Sequence, residues 1–347
     1  MKHWRLVSLI SLIAVILSGC VGNPNQSTLI PQGEVAEMQY ELMKLSTIIM
    51  VFVVAVVTVL FLYVVVKFRH RKGEEDVIPK QVEGSHTLEL LWTIIPVILL
   101  IILAVPTVSQ TFKLSDEKQI AKDEKKKDAI VVNVNAHLFW WEFEYPKSKI
   151  VTSQDMIIPV GKKVILNLKG EDIKHSFWVP SLAGKIDTNV EGTNRMWLSA
   201  DKEGTYNGFC AEFCGPSHSL MQFKVKAVSQ EEYDQWLVSM KDQKGQAVTA
   251  DASEGEKIFQ QSCIGCHAAD ANDTRPPAAR LAPNLANFGD REMVAGIAEN
   301  TEANVKKWLK DPESMKPGNL MTGKYGELSD DEINALTAYL ESLKIAK

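Results

Sequence analysis

Cysteine is scarce in this chain: there are five among 347 residues, and all five fall inside short motifs that use them up. No spare thiol remains to supply a second ligand pair for a four-cysteine zinc cluster. A strong charge of one sign is also missing. The net charge of −5 gives no case for nucleic acid as a partner and only slightly favours a basic protein. Long apolar runs are absent after residue 112, where the composition becomes that of a soluble globular protein. The length allows about two domains beside whatever lies in the membrane.

What is present is segregated along the chain. Met1 to Gly19 carries Lys2 and Arg5, then 14 uncharged residues from Leu6 that end in the small pair Ser18-Gly19 before Cys20. This is the layout of a secretory signal over 1–19, and Leu17-Ser-Gly-Cys20 resembles a bacterial lipoprotein signal, in which the Cys is lipidated and becomes the mature N-terminus. The competing reading, a third hydrophobic helix, is short against the roughly 20 residues that a span takes. Residues 20–112 are expected to form an N-terminal segment and a two-helix transmembrane hairpin. Its spans at 45–66 and 90–112 have 22 and 23 residues without a charge, each enough for about 30 Å of hydrocarbon. Between them, Lys67-Phe-Arg69-His-Arg71-Lys72 is placed in the cytoplasm by the positive-inside tendency, so both flanks face outward. Glu89, at the start of the second span, reads either as an acid favoured by the helix dipole or as a proton-handling carboxylate at a membrane edge.

From 113 to 240 the pattern changes to short β-rich segments. Ile130–Asn135, Trp140–Tyr145, Lys163–Leu168, Met196–Ser199 and Phe223–Val228 are predicted strands, with no convincing long helix, which argues for an all-β sandwich or barrel. One loop in it carries Cys210-Ala-Glu-Phe-Cys214-Gly-Pro-Ser-His218-Ser-Leu-Met221, and a second His, His175, lies on a distant segment. Thiolate, imidazole and thioether together are a soft set that favours copper, and two thiols so close suggest a pair bridging two copper ions. Three other readings stand beside this one: a small Cys210–Cys214 disulfide in an oxidising exterior, a structural zinc on two Cys and two His, and ordinary loop and core roles for His218 and Met221. Met221 argues against zinc. His137 reads as a strand end.

Residues 241–252 are polar and read as a linker. In 253–347, a helix with acids in its first turn leads into Cys263-Ile-Gly-Cys266-His267. This is the attachment signature of a c-type haem, whose vinyl groups take the two thiols while the adjacent imidazole reaches the iron. A thioredoxin-like redox pair would expect a βαβ context, and none is visible. The sixth ligand should be a Met from the C-terminal part, which raises the potential of the iron. Lys316-Pro-Gly-Asn-Leu-Met321 resembles the Met-bearing loop of small bacterial cytochromes c, which points to Met321, with Met315 as the alternative. Asn304–Lys310 and Asp330–Leu343 are the predicted closing helices of an all-α domain, and Ile333, Leu336, Ala338, Leu340 and Leu343 form the apolar face of the last.

The strings Glu89-Leu-Leu-Trp-Thr-Ile-Ile-Pro96, Phe139-Trp-Trp-Glu-Phe-Glu-Tyr145, His175-Ser-Phe-Trp-Val-Pro-Ser-Leu182 and the Cys210-to-Met221 loop resemble subunit II of the haem-copper cytochrome c oxidases. The C-terminal part resembles a fused cytochrome c. That resemblance implies a cupredoxin-like sandwich holding the dinuclear centre called CuA. Cys210 and Cys214 would bridge two coppers, with His175 and Met221 completing one ion, and His218 and the Glu212 carbonyl the other. It also implies a magnesium ion on the Glu212 side chain at the contact with subunit I, and a proton-channel role for Glu89. Many relatives carry a Trp at the position of Phe139 that takes electrons from soluble cytochrome c. Here Phe139, Trp140 and Trp141 stand together as the expected electron path, and the fused haem offers an alternative to docking there. The implied whole is a lipid-anchored subunit on the extracytoplasmic face of a bacterial cell membrane. It would pass electrons from cytochrome c to subunit I, where oxygen is reduced and protons are pumped, in a complex with other oxidase subunits. A quinol oxidase subunit II would share the anchor and sandwich but would need neither the Cys-His-Met loop nor the haem. A copper-handling protein would need no haem.

Overall fold

The computed structural model describes residues 4, 7, 8, 10–12, 15, 22–69, 78, 81–242 and 250–345. Cys20, the Arg71-Lys72 pair and most of the 241–252 linker lie outside the described residues.

Helix α1 spans Glu34–Lys67 and helix α2 spans His86–Leu114, each longer than its predicted apolar stretch because polar turns extend it beyond the hydrocarbon. No residue of α2 is buried within the chain, and the α1 side chains from Val51 to Val66 are likewise largely exposed. Apolar surface left open along a full span needs lipid or a partner helix to cover it. Pro96 and Pro106 interrupt the α2 ladder, which membrane helices tolerate more readily than soluble ones.

A short helix α3, Glu117–Glu124, precedes the sandwich. Its Asp123 forms ion pairs with Lys126 at 2.8 Å and with Lys163 at 2.9 Å. Ten strands follow: β1 Ile130–His137, β2 Trp140–Tyr145, β3 Ile150–Ser153, β4 Asp155–Pro159, β5 Val164–Gly170, β6 His175–Trp178, β7 Ile186–Thr188, β8 Asn194–Leu198, β9 Gly204–Cys210 and β10 Gln222–Val228. They form two five-stranded sheets, ordered β3-β2-β1-β5-β8 and β4-β10-β9-β6-β7. All five predicted strands are present, and β3, β4, β6, β7 and β9 are additional. Those five are short or carry Gly, Asn and Ser, so their pattern alone is weak. The prediction also missed helix α4, Gln230–Lys241, which Ser229 and Glu232 start with a reciprocal capping box.

Strand β2 shows how the core is built. Side chains alternate across a strand, so Trp141, Phe143 and Tyr145 point to the opposite sheet. There Trp141 meets Phe177 edge-on at 5.6 Å, Phe143 meets Phe223 at 5.7 Å, and the Tyr145 hydroxyl donates to the Ile157 carbonyl at 2.8 Å. Trp140, Glu142 and Glu144 occupy the other face. That face would be wet in a lone sandwich, yet Glu142 is only 1% exposed, because the C-terminal domain covers it.

The C-terminal domain consists of α5 Ala250–Ser262, α6 Glu302–Lys310, α7 Pro312–Met315 and α8 Asp330–Ser342. Among the described residues, a two-residue ladder, β11 Met293–Val294 with β12 Ala298–Glu299, is its one departure from all-α. Helices α5 and α8 cross at Gly255, where any Cβ would sit 2.0 Å from the Ala335 carbonyl oxygen. The core holds Phe259, Leu285, Phe288, Val305, Leu309 and Tyr339, together with Ile333, Leu336 and Leu340 from the expected face of α8. Ser329 and Glu332 cap α8 reciprocally.

Candidate metal centres

The first cluster forms where β6, the end of β9 and the loop into β10 converge. His175 opens β6 and is fully buried, and Cys210 closes β9. The loop then folds back so that Cys214, His218 and Met221 face Cys210. The two sulfurs lie 3.9 Å apart and both cysteines are free, so they are not arranged as a disulfide, whose bond is about 2.05 Å. Cys210 Sγ is 3.9 Å from His175 Nδ1 and 3.3 Å from the Glu212 carbonyl oxygen. Cys214 Sγ is 3.5 Å from His218 Nδ1 and 3.8 Å from Met221 Sδ. All six donors expected from the sequence thus meet in one place, and His175, Cys210 and Cys214 alone bring three ligand atoms within 4.8 Å of one another.

The electrostatics favour a thiolate here. Hydrogen bonding from Cys214 holds Cys210 far below the usual thiol range, and the same bond pushes Cys214 far above it. One proton is shared between two sulfurs, and a cation would displace it. Asp172 was not singled out from the sequence, and it orients His175. Its Oδ1 accepts from His175 Nε2 at 2.8 Å and from the Ile173 amide at 2.7 Å, and its Oδ2 accepts from the Leu138 amide at 2.6 Å. With Nε2 donating to a carboxylate, Nδ1 is the nitrogen that faces Cys210 and the one left to bind a metal. Burial disfavours the charged imidazole, but Asp172 and Cys210 outweigh it and raise His175 above its usual range. Two thiols and two imidazoles could hold either metal, but the Met221 thioether beside them is a copper ligand and a poor zinc ligand.

Phe139 is buried and touches the copper loop, since a Cβ at Gly215 would lie 3.1 Å from its ring. Trp140 stacks on His137, with ring centroids 4.1 Å apart. Burial drives the His137 imidazole down to about 4, so it is neutral. Trp141 is fully buried, its indole N–H donates to the Met221 carbonyl at 3.4 Å, and its ring lies 6.2 Å from that of His175. Of the three aromatics, Trp141 is the one bonded to a candidate copper ligand. Glu89 lies in the first turn of α2, with His86 Nδ1 at 3.9 Å.

The second cluster follows α5. The Cys266 and His267 amides both donate to the Cys263 carbonyl, at 3.1 and 3.0 Å, and this tight turn brings two thiols and an imidazole together. His267 Nδ1 lies 2.7 Å from the Pro283 carbonyl. A carbonyl only accepts, so Nδ1 carries the proton and Nε2 is left as a ligand atom. Burial pushes His267 down to about 4, which keeps that lone pair available. The residues therefore fit a covalent haem. Met315 and Met321 both pack against the domain core.

The two ligand-bearing loops touch. Ser217, which is fully buried between Cys214 and His218, donates its hydroxyl to the Pro317 carbonyl at 2.6 Å. Gly318, at φ 71°, packs so closely that a Cβ there would lie 2.7 Å from the Pro216 ring. The left-handed φ and the close approach both call for glycine. No pattern within either loop signals this contact.

Comparison with known proteins identifies the domains. Residues 25–109 match the family "Cytochrome C oxidase subunit II, transmembrane domain", 142–228 match its periplasmic domain, and 252–344 match "Cytochrome c". The chain is 55% identical to cytochrome c oxidase subunit 2 of Bacillus sp. (strain PS3), covering 99% of this chain and 98% of that one. It is 53% identical to cytochrome c oxidase subunit 2 of Bacillus subtilis (strain 168), again covering 99% and 98%. A quinol oxidase subunit 2 of Bacillus cereus is 34% identical over 67% of this chain and 79% of its own length. The subunit II domains imply copper, the cytochrome c domain implies haem c, and the two apolar helices make this a membrane protein. The chain belongs to the cytochrome c oxidase subunit 2 family, the electron-transfer subunit of a haem-copper oxidase, and carries a cytochrome c domain at its C-terminal end.

Proposed function

We propose that this subunit takes electrons from an external cytochrome c at its own haem c and passes them to a dinuclear copper centre. From there they go to subunit I, where oxygen is reduced to water and protons are pumped. When bound, the haem and the copper pair each store and pass one electron at a time. The chain's residues hold and insulate them. Cys263 and Cys266 would anchor the haem, with His267 and Met321 on its iron. His175, Cys210, Cys214, His218, Met221 and the Glu212 carbonyl would hold two copper ions. The observation that carries the reading is the Ser217–Pro317 contact. It joins the copper loop to the loop that carries Met321, so no protein layer separates the two ligand-bearing segments.

Further roles belong to the same reading. The Glu212 carboxylate would hold magnesium against subunit I, and Glu89 would feed a proton channel in that subunit. Cys20 would carry the lipid, and the basic residues after α1 would keep the hairpin loop in the cytoplasm and both redox domains outside. Phe139 and Trp140 need not receive electrons from a soluble donor, since the fused haem supplies them from within the chain.

Electron paramagnetic resonance of the oxidised, copper-loaded full chain tests the reading. Hyperfine structure from one electron shared by two copper nuclei is the expected result, together with loss of that signal when cytochrome c is the reductant. A mononuclear pattern would overturn the dinuclear assignment. A copper signal that survives complete reduction of the haem would overturn the path.

A further inference from the structure

The C-terminal domain is fixed to the sandwich along the free edge of β3 and the outer face of β2. The Val151 amide donates to the Ala271 carbonyl at 2.8 Å, extending the sheet's edge ladder into the haem domain. Beside it, Ser153 Oγ accepts from the Asn284 amide at 3.0 Å, and Thr152 Oγ1 lies 3.2 Å from Asn287 Oδ1. Asn284 follows Pro283, whose carbonyl orients His267. The strip therefore grips the haem domain next to its axial histidine, while Ser217 grips it next to the Met321 loop.

In the middle of this strip lies an ion pair that neither metal site uses. Arg280 donates to Glu142 Oε1 at 2.8 Å, and the two side chains are 4% and 1% exposed. Asn135 Nδ2 donates to the same carboxylate oxygen at 2.8 Å, and Arg280 also reaches the Asp273 carbonyl at 3.2 Å. Glu144 Oε1 lies 3.7 Å away and Asp273 Oδ2 3.9 Å. Among the described residues, Glu142 Oε2 and Arg280 Nε find no hydrogen-bond partner.

A buried ion pair that is only partly satisfied contributes little net stability, because the loss of hydration roughly offsets the attraction. What it does is penalise every other alignment, since a shifted interface strands a buried charge.

We propose that Arg280 and Glu142 are positioning residues that hold the haem domain in the single register in which its ligand loops meet the copper loop. This rests on the reading that the haem delivers electrons to the copper.

The test injects an electron photochemically into the haem of the copper-loaded full-length chain and follows haem reoxidation and copper reduction optically. In Arg280→Gln the buried Glu142 carboxyl loses its cation and must stay docked either unpaired or with a proton taken up, since burial already pushes it up to about 7. The docked-to-undocked ratio falls by about 100-fold. The fast haem-to-copper phase then loses most of its amplitude, while the absorption spectra of both centres stay unchanged. Neutralising both partners in Glu142→Gln/Arg280→Gln strands no charge and restores docking, but it leaves the register unset, so the phase returns with reduced amplitude and a spread of rates. Arg280→Gln with both centres loaded and the phase at full amplitude would overturn the proposal. If Arg280→Gln fails to load haem, the double variant decides alone: a fast phase that is diminished or spread over several rates supports the proposal, and a single-rate phase at full amplitude overturns it. Absence of the phase in the unsubstituted chain would instead refute the underlying path.

Discussion

Replacing Asp172 by Asn tests whether the copper-facing nitrogen of His175 is set from outside the ligand shell. The amide has the carboxylate's shape but only one acceptor oxygen, and the site presents three donors. With its oxygen at the Oδ1 position, the substituted side chain would still accept from His175 and Ile173, at the observed 2.8 and 2.7 Å. Its NH2 would then face the Leu138 N–H, which now donates at 2.6 Å. Flipping the amide satisfies Leu138 but turns a donor toward His175 Nε2 and drives the proton onto Nδ1, where a metal would sit. Either placement leaves one donor unpaired, at about 1–3 kcal/mol, and both remove the negative charge that makes the imidazole a strong ligand. Loss of such a partner lowers metal affinity by about 10–100-fold, which is roughly 1.4–2.7 kcal/mol. Competition of the apo chain against a chelator of known copper affinity measures this directly. An affinity within about threefold of the unsubstituted chain, with folding intact by circular dichroism, would show that Asp172 does not set the ligand strength of His175.

Three other outcomes follow from named contacts. Ser217→Ala removes the hydroxyl from the Pro317 carbonyl and should cost roughly 0.5–1.5 kcal/mol of stability, with slower haem-to-copper transfer and an unchanged copper spectrum; an unaltered transfer rate would show that this contact is incidental. Phe139→Leu keeps the side chain apolar against Gly215 and should leave turnover through the fused haem nearly intact, so a large fall in oxidase activity at constant haem content would assign Phe139 a direct part. Hydrogen bonds from Lys126 and Lys163 hold the Asp123 carboxyl well below its usual range. A lowered carboxyl contributes stability that is present above its ordinary value and is lost as the pH falls below it. Asp123→Asn should therefore destabilise the fold at pH 7 and progressively less toward acid, which denaturant midpoints at both pH values would reveal.

Much of this protein is legible in the sequence because its chemistry is local. A membrane span needs only a run of apolar residues, and a haem attachment needs only Cys263, Cys266 and His267 in one turn. Five of the six candidate copper donors lie between Cys210 and Met221. These features depend on spacing along the chain, so they survive without knowledge of the fold. The strands that alternate clearly were legible for the same reason, and short ones such as β6 and β7 were not, because sheet neighbours define them more than their own residues do.

Tertiary structure alone decided whatever depends on partners distant in sequence. His175 lies 35 residues from Cys210, and only the pairing of β6 with β9 brings it to the site. Asp172 has no signature, since an acid three residues before a histidine is commonplace until the fold aims one at the other. The outer face of β2 read as an ordinary strand face, yet Glu142 is buried there against Arg280, 138 residues away. Spacing along the chain was enough to point to haem c and to copper. How the two centres face each other was left to the docking of two domains, because a buried charge pair and a meeting of two loops exist only once separate segments have been packed together.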